Sequence, residues 1–202
     1  MFSTIRSIAL GATLVAALTT GIVLPAPRAI ASQPANSGGF AIEAFPHETA
    51  MVGFSDTWGA PRSGGRHHEG TDIMSPKGTW VLAVADGTVE RLDWNRMSGW
   101  NITIRHADGW TSHYMHLDND TPGTDDGNGG PETAFAEGLE VGNPVEAGDV
   151  IGFVGDSGNA EGGGSHTHFE LHIDGAKVNP YPYLAEAMDR KIRGSAIQRI
   201  AE

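Results

Sequence analysis

Glycine breaks this chain too often for a long helix to form through its middle. It supplies 28 of 202 residues, against roughly 14 at the average usage of about 7%. Each extra glycine marks a turn or a close approach of backbone, and each weakens a helix interior. Between the glycines lie short runs with strand character. Trp80 to Ala85 and Thr88 to Trp94 flank Asp86-Gly87, and Asn101 to His106 and Trp110 to Leu117 flank Ala107-Asp108-Gly109, so each pair predicts a hairpin. Val150 to Val154 follows Gly148-Asp149, and His166 to Ile173 runs through Asp174-Gly175-Ala176 into Lys177-Val178. The expected fold class is all-β: an antiparallel sheet of numerous short strands with loops on one face. A short helix is expected only in a C-terminal tail, residues 185–202, where Met188, Ile192, Ile197 and Ile200 continue from Leu184 among charges.

The length allows one domain of ordinary size. Its start has the three parts of a secretory leader: Arg6, an uncharged run from Ile8 to Leu24, and a small-x-small site at Ala29-Ile30-Ala31. Residues 1–31 are therefore expected to be a signal peptide cleaved after Ala31, with residues 32–44 as a linker and the domain over 45–184. Cysteine is absent, which removes disulfides, thiol nucleophiles and cysteine metal sites together. Any metal must be held by His, Asp or Glu, and nine histidines are available. A formal charge of -12 makes nucleic acid an unsuitable partner.

The run from His166 to Ile173 is the most informative. A period of two puts Phe169, Leu171 and Ile173 on one face and His166, His168, Glu170 and His172 on the other. His166 and His168 are then about 6.5 to 7 Å apart along the strand, near enough to address one small site. Upstream, His68 and Asp72 are separated by three residues that include Gly70, a spacing at which a turn can aim an imidazole and a carboxylate at one ion. Together these make a candidate His2Asp set, which leaves a fourth zinc position open. Tyr114-Met115-His116-Leu117 ends a strand immediately before an unusual stretch, residues 118–136. That stretch has no basic residue and is rich in Asp, Gly and Pro, so it reads as a long exposed loop. A calcium site there is a minor alternative, because the EF-hand spacing fails at Pro122.

Arg66, His68, Gly70 and Asp72 as R-x-H-x-G-x-D, Tyr114 to Leu117 as Y-x-H-L, His166 to Glu170 as H-x-H-F-E and Val178 to Pro180 as V-N-P together resemble the lysostaphin-type, or LytM-like, zinc endopeptidases of bacterial cell walls. The resemblance runs from about Phe45 to Leu184. It also takes in Trp58 to Arg62, Ala83 to Val89 and Gly148 to Gly155. It implies a glycine-rich antiparallel sheet with one zinc ion in a loop-walled groove. His68, Asp72 and His168 are the implied ligands, and His116 and His166 the implied catalytic histidines beside them. One of that pair would take a proton from the attacking water and later deliver one to the leaving amine, while the other would hydrogen-bond the developing oxyanion.

The resemblance leaves some residues open. Glu170 and His172 share the histidine face and either orient a ligand imidazole or serve as solvated partners. His67 is expected to be exposed, and His47, His106 and His113 have no motif support. Thr167, where the family usually has Leu, is expected to matter little. The implied function is an exported enzyme, secreted or periplasmic and acting at the cell wall, that hydrolyses peptide bonds in the stem or cross-bridge peptides of peptidoglycan. Its expected partners are those peptides, with no nucleic acid, no stable membrane insertion after cleavage, and a monomeric state. The alternative from another class is a non-catalytic LytM-like module that binds the wall or activates another hydrolase. Such members lose ligands, whereas all five positions are present here. From His106 to Ala176 there is no Lys or Arg and there are 14 acids, so the groove is expected to be acidic and to favour the amine-bearing peptide part of the wall.

Overall fold

The computed structural model describes residues 40–48 and 52–201. The expected leader, 1–31, and most of the expected linker, 32–44, lie outside them. Nine strands follow one another: β1 (Thr71–Met74), β2 (Trp80–Leu82), β3 (Gly87–Asn95), β4 (Gly99–His106), β5 (Thr111–Leu117), β6 (Pro144–Val145), β7 (Val150–Phe153), β8 (His166–Ile173) and β9 (Ala176–Val178). A single helical turn, α1 (Pro131–Ala134), precedes β6, and α2 (Tyr181–Ala201) ends the chain. The main sheet has the order β1-β8-β5-β4-β3-β6 with β9 also beside β8, and every pairing in it is antiparallel. Among the described residues fourteen glycines have φ in the left-handed region, so much of the glycine excess does go into turns that other residues resist.

The hairpin expected across Ala107-Asp108-Gly109 forms between β4 and β5, and β8 turns into β9 as expected. The hairpin expected across Asp86-Gly87 does not form. β2 pairs with β7 in a separate two-stranded sheet, and β3 pairs with β4 and β6. Burial explains the difference. Trp80 is half exposed, but after β2 the chain at Ala83, Val84 and Ala85 is 0 to 4% exposed, so it passes through the core instead of continuing as a strand beside β3. Its polar backbone is satisfied there: Val84 N donates to Tyr114 Oη, and Val84 O accepts from the amides of Glu43 and Ala44.

Those last bonds also move the domain boundary. Ile42 and Phe45 are core residues, and Phe40 packs edge-on against both Trp110 and Tyr183 with ring centroids 4.8 Å apart. Residues 40–44 are thus part of the packed body and not of a linker. At the other end α2 begins at Tyr181, ahead of the expected tail, where Asn179 Oδ1 accepts the Tyr181 amide at 3.0 Å. Leu184, Ala187 and Met188 seal the core, but Ile192 is 51% exposed, so the packed face of the helix stops short of the apolar run in the sequence. The side chains of Ile197 and Ile200 lie outside the described set. Among the described residues no helix is long and apolar enough to cross a membrane.

β8 has the two faces its alternation requires. Thr167, Phe169 and Leu171 are fully buried, while His166, His168 and His172 are partly exposed on the other side. Thr167 matters more than expected, because its hydroxyl is the buried partner of His47 Nε2 at 2.9 Å. Burial, with the Lys191 charge adding to it, pushes the His47 pKa down to about 3. Burial and then the neighbouring His172 push that of His113 down to about 4. Both rings are therefore neutral in the folded state and take up protons on unfolding. Stability from these groups is complete above about pH 6.5 and is lost as pH falls toward 4 and 3, by about 1.4 kcal/mol per pH unit for each group. Urea midpoints measured from pH 7.5 to 4 should fall for the wild type, and His47→Gln should flatten part of that fall.

Candidate metal centre and groove

Three donors from two distant segments meet at one point. β1 and β8 pair so that Asp72 lies directly opposite His168, and the loop ahead of β1 folds buried His68 back over Asp72. His68 Nε2, Asp72 Oδ1 and His168 Nδ1 are separated by 3.0, 3.0 and 2.8 Å. Gly70 makes this approach feasible. A Cβ there would sit 2.6 Å from His168 Nε2 and 2.6 Å from the Phe169 carbonyl.

The far sides of the two rings determine what the near sides offer. His68 Nδ1 lies 2.8 Å from the Thr57 hydroxyl, which can accept or donate, and 3.1 Å from the Thr57 carbonyl, which only accepts; a proton on Nδ1 satisfies both and leaves Nε2 a lone pair. His168 Nε2 lies 3.1 Å from Glu170 Oε1, so Nε2 carries the proton and Nδ1 a lone pair. Burial works against ionising Glu170, but hydrogen bonds from His168 and His172 outweigh it and hold its carboxyl well below the usual carboxylate range. Asp72 is likewise held ionised: burial opposes this, and hydrogen bonds from His168, His68 and Arg62 prevail. Two lone pairs and a carboxylate oxygen thus face one another at hydrogen-bond separation, an arrangement that calls for a cation between them. A proton is one such cation. Burial disfavours a charged His168, yet hydrogen bonds to Asp72 and Glu170 raise its pKa above the ordinary value. The donor set fits zinc: two imidazoles, one carboxylate, and outer partners that fix both tautomers.

His166 and His116 stand beside this cluster without joining it. His166 Nδ1 donates to the Gly164 carbonyl at 2.8 Å, and its Nε2 lies 3.9 Å from Asp72 Oδ1. His116 Nδ1 donates to the Ser157 carbonyl at 2.8 Å, and its ring centroid is 5.0 Å from that of His166. Each therefore presents an Nε2 lone pair to the groove. Burial above all pushes the His116 pKa down to about 4, so it is neutral at pH 7.

A bulge aims His116. Along β5, Thr111, His113 and Met115 lie opposite His172, Glu170 and His168, so strict alternation would send His116 into the core and Leu117 to the groove. Instead the register with β4 slips between Trp100 and Ile102, and His116 takes a left-handed φ of 61°. Leu117 ends fully buried and His116 lines the groove. Such a conformation in a non-glycine residue costs about 1 to 3 kcal/mol and recurs at functional sites.

The groove has a volume of about 760 Å³. It departs from the sequence expectation in two ways. No residue of the 118–136 loop lines it, and its charged lining is mixed, with Arg62, Arg66 and Lys177 facing Glu69, Asp72 and Glu170. The acidic loop is tied down elsewhere. Lys77 Nζ sits among Asp120, Asp125 at 2.6 Å and Asp156 at 2.9 Å. Burial opposes its charge, but those three carboxylates outweigh burial and hold its pKa above the ordinary value. The acids that would have to bind calcium already enclose an ammonium. Asp156 also lies between Gly155, whose amide donates to the His116 carbonyl and whose carbonyl accepts the His166 amide, and Ser157, which orients His116.

Sequence reasoning singled out all five residues that meet here. It left Glu170 and His172 open, and the structure makes Glu170 the partner of both His168 and His172, at 3.1 and 2.8 Å. It missed Thr57 and Arg62 as partners of the cluster, although Arg62 ends the Trp58 to Arg62 stretch, and it missed Lys77 entirely. His67 is exposed. His106 is structural, stacked on Trp110 at 3.7 Å between ring centroids.

A strand-dominated fold with three metal-competent donors and two free imidazoles in a cleft has the parts a metal-dependent hydrolase needs, and comparison with known proteins gives the family. Residues 66–126 and 132–180, more than half the chain, match the model of peptidase family M23, and the chain belongs to that family. It is 37% identical over 142 residues to the L-Ala–D-Glu endopeptidase of Bacillus subtilis, covering 65% of this chain and 39% of that protein. It is 30% identical over 113 residues to the peptidoglycan DD-endopeptidase ShyC of Vibrio cholerae, covering 56% of this chain and 22% of that protein. Among solved structures, one described as a glycyl-glycine endopeptidase LytM of Ruminococcus gnavus superposes with a TM-score of 0.58 at 31% identity, covering 74% of this chain and 61% of that chain. The alignments thus span well under half the length of these two curated relatives. Members of the family are metallo-endopeptidases acting on peptidoglycan.

Two substitutions probe the arrangement. Gly70→Ala should lower zinc affinity by about 10-fold or more, because the new methyl displaces His168 from Glu170; competition with a chelating dye measures it. Lys77→Met should lower stability by about 3 kcal/mol, since Asp120 and Asp156 are left buried without a cation. It should also make the melting temperature rise with added calcium, a response absent from the wild type.

Proposed function

We propose that this chain is an exported zinc metalloendopeptidase that hydrolyses peptide bonds in the stem or cross-bridge peptides of bacterial peptidoglycan, secreted or periplasmic at the cell wall. The observation that carries the reading is the division of labour among the site histidines. His68 and His168 converge on Asp72, while His116 and His166 hold their free Nε2 atoms beside that cluster. A purely structural metal site would have no use for the second pair.

His68 Nε2, Asp72 Oδ1 and His168 Nδ1 would hold zinc, which when bound would supply Lewis acidity toward the scissile carbonyl and a nucleophilic water near neutral pH. The protein supplies the proton transfers. His116, neutral and with its Nδ1 proton committed to Ser157, accepts a proton at Nε2 and passes it to the leaving amine. His166, fixed through Gly164 at Nδ1, stabilises the developing oxyanion only in its doubly protonated form, when Nε2 also carries a proton and donates it toward the groove. Glu170 and Thr57 keep the two ligand imidazoles in the tautomers that leave a lone pair inward, and Arg62 occupies Asp72 Oδ2 at 2.6 Å. The relatives that cut peptidoglycan peptides support the choice of substrate.

Purified walls of several chemotypes, incubated with the zinc-loaded protein with and without chelator, should release peptides that mass spectrometry identifies. His116→Ala and His166→Ala should keep the metal and lose about 10²- to 10⁴-fold in rate. Asp72→Ala and His168→Ala should lose both. Zinc-loaded protein that releases nothing from any wall would overturn the reading.

A further inference from the structure

The protein is strongly acidic, yet its groove is not. Each carboxylate that lines the groove has a cationic partner within it. Asp72 accepts from Arg62, and the Lys177 ammonium lies between Glu69 at 2.7 Å and Glu170 at 3.2 Å. Arg66 is the cation left over. Among the described residues it forms no ion pair. Its Nε donates to the Ser63 carbonyl at 3.2 Å, one terminal nitrogen to Ser63 Oγ at 3.4 Å, and the other to Met97 Sδ at 3.4 Å. All three acceptors are neutral, so they orient the guanidinium without cancelling its charge.

Unpaired arginines are common on protein surfaces; this one is distinguished by where it stands and how it is held. It lines the same groove as the three-donor cluster, two residues before His68. Its loop is braced by main-chain bonds from the Arg62 amide to the Arg66 carbonyl at 2.9 Å and from the His68 amide to the Ala60 carbonyl at 2.8 Å. A planar fork of donors on a braced loop is suited to a carboxylate, although the side chain itself is exposed and its contacts of 3.2 to 3.4 Å orient it only loosely. Arg62, Arg66 and Lys177 are balanced in number by Glu69, Asp72 and Glu170, so a divalent ion at the cluster would give the groove a net positive charge.

We propose that Arg66 forms a subsite for a substrate carboxylate, so that the chain prefers peptides bearing a free carboxylate within a residue or two of the scissile bond over uncharged bridges. The inference rests on the peptidase reading and narrows it. It also reverses the preference for amine-bearing peptide expected from composition.

The test uses two peptides that differ only in an acidic side chain next to the scissile bond, present as the carboxylate in one and the primary amide in the other. Each is made both in cleavable form and with an N-methylated scissile bond that resists hydrolysis. With the zinc-loaded full chain, kcat/KM should favour the carboxylate peptide by about 10-fold or more, and calorimetric affinities of the N-methylated pair should show the same order. Arg66→Gln should bring both ratios to about one, and Arg66→Lys should retain part of the preference, with zinc content and circular dichroism unchanged in each. Equal handling of the two peptides by the wild type, or a preference that survives Arg66→Gln, would overturn the proposal. An Arg66-dependent binding preference without any cleavage would uphold the subsite while contradicting the peptidase reading; no binding of either peptide would overturn the subsite.

Discussion

Two imidazole lone pairs and a carboxylate oxygen held 2.8 to 3.0 Å apart repel one another unless a positive charge lies between them. The surrounding architecture is built to maintain that meeting. Antiparallel pairing of β1 with β8 sets Asp72 against His168, and the missing side chain at Gly70 lets the His68 loop close over them. Glu170 and Thr57 take the outward protons of the two rings, so the inward nitrogens are committed to accept. Removing the cation would leave the body of the fold intact, because Ile73, Tyr114, Phe169 and Leu171 pack the core below β8 and its buried polar groups, His47 with Thr167 and Ser112 with Tyr114 and His106, bond to one another and not to the cluster.

A second layer holds the histidines that do not face Asp72. The segment from Gly155 to Ser157 bonds to the main chain of both His116 and His166 and to the ring of His116. That segment packs so closely on the β3–β4 turn that a Cβ at Gly99 would lie 2.1 Å from Ser157 Oγ. Its buried acid, Asp156, is balanced by Lys77, and the same ammonium anchors the acidic loop. The loop therefore contributes to the site as ballast behind the histidines, on the side away from the groove.

Much of this was legible in sequence. Alternation in His166 to Ile173 sorted its residues onto the faces they occupy, and the resemblance to the LytM-like endopeptidases implied that His68, Asp72, His116, His166 and His168 share one site. What escaped depended on three-dimensional context. The segment from Trp80 to Ala85 looks like half of a hairpin, because its apolar residues do not show that the strand stops at Leu82 and that Ala83 to Ala85 run on through the core. The bulge at His116 has no glycine to announce it. Lys77 meets its three acids only after the chain has folded, and counting charges along the sequence assigned those acids to a groove they do not enter. Arg66, by contrast, was in plain view as part of a motif, and only the pairing of every other groove charge shows that it stands alone.

The central claim is that His68, Asp72 and His168 hold the metal while His116 and His166 stay off it, the first for proton transfer and the second for the oxyanion. Anomalous diffraction at the zinc edge from crystals of the zinc-loaded protein tests this most directly. The account predicts one strong peak, bonded to His68 Nε2, Asp72 Oδ1 and His168 Nδ1, with the Nε2 atoms of His116 and His166 outside bonding distance. A peak bonded to His166 or His116 in place of His168, or no ordered ion at the cluster, would contradict it.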